Sequence, residues 1–99
     1  MSEDTIVSPE ICIFSDKNFE NLNIQIELPG VEKKDIELQM FEDGFYIMAN
    51  KEGAKFMGSY ALIFPVQPEK AISEYSNGVL MVNVPYKNIL QGGVRVNID

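Results

Sequence analysis

Ninety-nine residues, 45% of them hydrophobic and 23% charged, make one soluble globular domain with a single core. The chain has no His and one Cys, which excludes His-based catalytic triads, His metal sites, intrachain disulfides and paired-cysteine redox motifs. A net charge of −7 argues against a nucleic-acid surface, which needs clustered cations.

No run is apolar enough over a membrane's thickness, and Met1-Ser2-Glu3-Asp4 lacks the basic start of a signal peptide. The expectation is a cytoplasmic chain with no membrane partner. Neither GxxxxGK[ST] nor GxGxxG occurs, so no nucleotide or other cofactor is implied. With no catalytic residue and no metal ligand set to point to, an enzyme is not expected.

Residues 1–10 are polar, include Pro9, and read as a flexible N-terminal arm. Residues 11–14 are a short apolar edge strand carrying Cys12, whose thiol is expected to be buried. Residues 16–21 are turn-like. Asn23-Ile24-Gln25-Ile26-Glu27-Leu28 alternates without a miss, which puts Ile24, Ile26 and Leu28 on one face of a strand. Pro29-Gly30 stops it, and residues 31–34 can form one tight turn.

Residues 36–40 alternate again, followed by the hairpin signal Glu42-Asp43-Gly44, where Asp-Gly is expected to supply positive φ. Residues 45–49 are apolar at every position, as in a strand covered on both faces. Residues 51–58 read as a polar loop containing Met57, and residues 60–64 as a strand stopped by Pro65. Residues 72–75 make a short strand. Asn77-Gly78 is a second hairpin signal, and residues 79–84 are the last strong strand, stopped by Pro85.

About seven short strands and no amphipathic helix predict an all-β fold, an antiparallel immunoglobulin-like sandwich. The domain is expected over residues 11–87, with a C-terminal extension over 88–99. Gly92-Gly93 makes a stalk for Val94-Arg95-Val96-Asn97-Ile98-Asp99, whose alternate apolar residues suit a strand. That end can pair with another chain or fold back as an edge strand of its own sheet. Met40, Met48, Met57 and Met81 are soft side chains that either fill the core or adapt to varied partners. The acidic residues, such as Glu27 and Glu37, fall at outward positions and turns and read as a solvated face.

Two stretches, ELPGVEKKDIELQM (Glu27 to Met40) and NGVLMVNVP (Asn77 to Pro85), resemble the α-crystallin domain of the small heat-shock proteins. Val96-Asn97-Ile98 is similar to that family's I/V-x-I/V tail anchor. The resemblance implies an ATP-independent chaperone, a holdase that binds non-native client proteins and assembles as a homo-oligomer. It further implies that Val96 and Ile98 add to a groove on a neighbouring copy, between the runs 36–41 and 72–75. Leu38, Met40 and Ile72 would line that groove.

Three departures from the family stand out. Only residues 51–58 occupy the place of the long loop that exchanges a strand between subunits, too few to reach a neighbour. The strand 59–65 lacks an Arg common there, and Ser73 replaces a usual Ala. The short loop also suits a second resemblance, to the p23-like co-chaperones, which share the sandwich, are monomeric and bind folded partners.

Overall fold

The computed structural model describes residues 5–87, 94 and 96–99. Among them are eight strands: β1 (Thr5–Val7), β2 (Glu10–Ser15), β3 (Asn21–Glu27), β4 (Ile36–Phe41), β5 (Gly44–Lys51), β6 (Ala54–Ala61), β7 (Ile72–Ser76) and β8 (Val79–Pro85). They form two four-stranded sheets, ordered β1-β6-β5-β4 and β2-β3-β8-β7. All pairings are antiparallel except that of β1 with β6. The sandwich expected from the sequence is therefore present, with one strand more.

The core follows the period of two. Leu22, Ile24 and Ile26 of β3 and Leu80, Val82 and Val84 of β8 turn inward from one sheet, against Phe45, Ile47 and Ala49 of β5 from the other. Leu28 continues the buried face just past the end of β3. On the outer face, Asn83 donates to Asn23 across the strand pair at 3.0 Å. Glu27 and Glu37 are exposed.

Four local expectations are corrected. Within residues 1–10, Thr5–Val7 is not a free arm but pairs with Ala54–Phe56, and Pro9 is buried where the chain crosses to the other sheet. Residues 1–4 lie outside the described residues. The polar run 51–58 is not a loop: β5 extends to Lys51 and turns through Glu52-Gly53, where Gly53 (φ +83°) takes the left-handed conformation. Polar residues are tolerated there because Lys55 and Ser59 lie on the outward side of β6, while Phe56 on the alternate side is buried.

Strand β6 ends at Ala61, so residues 62–64 are not strand, and Ile63 projects into solvent. Finally, β5 is buried on one face only, since Tyr46 and Met48 on the other are half-buried.

Glycine serves differently in the two expected hairpins. Asn77 (φ +52°) and Gly78 (φ +79°) both adopt the left-handed conformation, as a tight two-residue hairpin requires. At the other hairpin neither Asp43 nor Gly44 has positive φ. Gly44 is required by proximity instead: a Cβ there would lie 2.6 Å from the Tyr60 carbonyl oxygen.

The loop after β6 is sewn to both sheets. Leu62 N–H donates to Asp43 O at 2.8 Å, Val66 N–H to Glu42 O at 2.9 Å, and Gln67 N–H to Pro85 O at 2.9 Å. Val66 is fully buried, so this loop closes one end of the core.

Candidate functional site

Strands β4 and β7 are the outer strands of opposite sheets on the same side of the sandwich. Among the described residues each therefore offers one unpaired edge, and a groove of about 620 Å³ opens between them. Its β4 wall is set by alternation. Ile36, Leu38 and Met40 turn half-buried toward the groove, and Glu37, Gln39 and Phe41 turn outward. On β7, Ser73 and Tyr75 lie opposite inward Val82 and Leu80 and form the wall, whereas Ile72 lies opposite Asn83 of the outer face and borders the groove only at its rim, 69% exposed. Buried Leu80 and Val82 of β8 make the floor.

Of the sequence-predicted residues, Leu38 and Met40 turn into this groove, while Ile72 borders it from the outer face. Sequence reasoning missed Ile36 and Tyr75 on the same lining. Ile36 has the same parity as Leu38 and Met40, so alternation alone could have included it. Nothing in the sequence announces Tyr75.

Tyr75 fixes one end of the groove. Its hydroxyl lies 2.9 Å from Leu28 O and 2.7 Å from Val31 O. One proton serves two carbonyl acceptors, and the ring is held against the turn that leads into β4. The same turn is closed by Val31 N–H donating to Leu28 O at 3.2 Å. Gly30 takes φ +80°, and Lys51 Nζ donates to Pro29 O at 3.0 Å. A Leu-Pro-Gly-Val turn can be pinned this way because Gly accepts positive φ while Pro fixes its own.

The tail residues Val96 and Ile98 are 78% and 95% exposed and belong to no strand. The alternative of a tail folded back as an edge strand of its own sheet is therefore not what residues 96–99 show. Gly92-Gly93 and Arg95 lie outside the described residues.

The groove holds no constellation for chemistry. Its charged lining residues, Lys33 and Glu74, sit among apolar side chains, and no group of metal-ligating side chains is found among the described residues. No helix there is long and apolar enough to cross a membrane.

None of Met40, Met48, Met57 and Met81 belongs to the buried core. Met48 and Met57 face each other across β5 and β6, half-buried on the outer side of their sheet. Cys12 is exposed rather than buried, because β2 is an outer strand and Cys12 lies opposite Gln25 on its outward side.

No family model matches the chain. It is 27% identical over 108 aligned positions to a probable 15 kDa heat shock protein of Leptospira interrogans, covering 95% of this chain and 82% of that relative. Among solved structures it superposes on heat shock protein 16.0 from Schizosaccharomyces pombe with a TM-score of 0.73 at 22% identity, over 94% of this chain and 76% of that one. A small heat-shock protein from Xylella fastidiosa gives a TM-score of 0.71 at 18% identity, over 94% and 97%. The chain is thus similar to a heat shock protein along nearly its whole sequence, and its fold is the α-crystallin sandwich of the small heat-shock proteins.

Proposed function

We propose that the chain is a chaperone of the holding type, which binds non-native proteins without ATP and limits their aggregation. The observation that carries the reading is the open groove between β4 and β7, together with a tail whose apolar residues have no cover of their own. In this reading Val96-Asn97-Ile98 of one copy adds as a short strand to the groove of a neighbour, against Leu38, Met40 and Ile72. A holdase needs no catalytic group, because binding the non-native state preferentially shifts the equilibrium by mass action. The reading places the chain in the cytoplasm, where the exposed Cys12 thiol stays reduced.

The energetics suit reversible occupancy. Burying Val96 and Ile98 contributes about 3–6 kcal/mol. Four or so strand hydrogen bonds add about 2–6 kcal/mol. Ordering about five tail residues costs about 5–10 kcal/mol. The terms nearly cancel, so tails exchange and the groove opens to other extended segments.

The test has two arms. The chain should suppress light scattering from a heated model client with no ATP present. Its mass in solution should fall when Val96 and Ile98 are both changed to Asp. A molar excess that leaves aggregation unchanged, with the same mass for both forms at several concentrations, would sink this reading. That pair of results would favour a monomeric, p23-like co-chaperone that binds folded partners. The short Glu52-Gly53 turn, which carries no exchangeable strand, is the feature on that side.

A further inference from the structure

The two ends of the β4–β7 groove differ in charge. At the end where β4 begins, Tyr75 of β7 reaches Val31 O, and Lys33 of the one-turn 3-10 helix Lys33–Asp35 lines the groove. At the other end, Val66 N–H donates to Glu42 O just beyond β4, and Pro68 and Ala71 complete the lining. Among the described residues Lys33 is the one cation on that lining and enters no ion pair, whereas neighbouring Lys34 meets Glu32 at 3.5 Å. Glu74, the other charged lining residue, lies opposite Met81 of the outer face and so stands on the β7 rim.

The tail is also asymmetric in charge. Arg95 precedes Val96-Asn97-Ile98 and Asp99 follows it. With a branched apolar residue at each end, the triplet is close to a palindrome. Val96 and Ile98 alone could fill two adjacent positions along the groove in either direction. In an extended segment the residues flanking the triplet lie about 13 Å apart. One direction therefore brings a carboxylate to the Lys33 end, and the other brings a guanidinium.

We propose that Lys33 is the specificity-determining residue of the groove, selecting both the direction and the kind of segment it holds. The proposal rests on the reading that the tail docks there. The tail then lies antiparallel to β4, with Ile98 toward Ile36 and Tyr75, Val96 toward Met40 and Ala71, and the Asp99 carboxylate against the Lys33 ammonium. The reverse direction would set Arg95 against Lys33, like charge on like. The same ammonium defines which other segments the groove takes: extended stretches in which alternate branched apolar residues are followed by Asp or Glu. Lys33 is exposed, so the pair is worth about two- to fivefold in affinity and fades as salt rises. The apolar contacts hold the segment, and the ion pair decides which way round it lies.

The test uses the full chain in its Val96→Asp/Ile98→Asp form, whose own tail does not compete. The ligands are labelled peptides spanning residues 94–99, amidated so that only their side chains differ. Lys33→Glu should weaken the unaltered peptide about fivefold and tighten its Asp99→Lys version by a similar factor, while Glu74→Gln changes neither. Lys33 is exposed and its turn buries no side chain, so its replacement spares the core. The Asp99→Asn peptide, read on the groove with Lys33 in place, should bind about two- to fivefold more weakly and keeps the test independent of how the Lys33 variants fold. A second arm reads direction without charge. In a Cys12→Ser background, chains carrying Lys33→Cys are mixed under mild oxidation with chains carrying either Asp99→Cys or Val94→Cys. The Asp99→Cys chain should be joined to its neighbour and the Val94→Cys chain should not. Affinities that ignore the charge at residues 33 and 99, or a cross-link through Val94→Cys instead, overturn the proposal and leave tail docking standing. Peptides that bind no form of the chain, with no cross-link in either mixture, end the tail reading and this proposal with it.

Discussion

The Tyr75 hydroxyl serves the Leu28 and Val31 carbonyls at once, so its removal takes this donor from Val31 O and leaves Leu28 O with the Val31 N–H. Tyr75→Phe should cost about 1–2 kcal/mol, the range for a lost hydrogen bond in a partly buried site, read as a lower urea midpoint with unchanged slope. Asp16 is a polar counterpart in the turn after β2. The Asn21 side-chain amide at 3.0 Å and the Glu20 N–H at 2.7 Å hold its carboxyl below the usual aspartate range. Its stabilising effect is therefore full above the unfolded pKa and is lost as pH falls through the lower folded value. Glu27 runs the other way, because a hydrogen bond to Glu10 and the charge of that same residue raise its pKa. That contribution is present at low pH and disappears as pH rises through the raised value. Glu10→Gln should thus raise the thermal midpoint at neutral pH, and Asp16→Asn should flatten the acid side of the stability profile. Thermal melts from neutral pH down through the carboxylate range check both. None of these three contacts was legible in the sequence, since each depends on residues brought together by the turns.

At the scale of elements, strict alternation fixes both the strand and its inward face, while runs 11–14, 72–75 and 79–84 are strands legible from their apolar content and turn signals. Asn21–Glu27 and Ile36–Phe41 each bury one parity, and a period of two is a property of the sequence itself. Strand β6 was misplaced because its AKFMGSYA is polar and glycine-containing. What makes it a strand is its neighbour: Phe56, Gly58 and Tyr60 face Ala49, Ile47 and Phe45 of β5. Gly58 is there because the Tyr60 ring folds back over it, where a Cβ would lie 2.5 Å from the ring. A side chain can give way at such a contact, but the backbone carbonyl near Gly44 cannot. Gly44→Ala should accordingly destabilise by about 1–3 kcal/mol through overpacking, more than Gly58→Ala, in a comparison of denaturation midpoints. Equal losses would mean that the Tyr60 ring is as rigid as the backbone.

Across the whole molecule, the candidate groove was half legible. Its β4 wall follows from alternation, and the pairing of that wall with Ile72 came from family resemblance rather than from any local signal. That the two strands edge the same side depends on how the sheets stack, which no single strand encodes. The phase of β4 can be checked directly: Leu38→Asp should weaken tail capture about tenfold or more, the scale of one lost buried Leu, while Gln39→Asp on the outward side should do little. Fluorescence anisotropy of a labelled peptide carrying Val96-Asn97-Ile98 provides the measurement, and similar losses would invert the assignment of faces. The Glu52-Gly53 turn has a kinetic corollary. With β5 and β6 joined by only two residues, that connection has no strand to lend to a neighbour, and a newly made copy is expected to finish its sandwich in isolation. Its refolding rate should stay constant under dilution, with any association following as a separate, slower-at-low-dose phase.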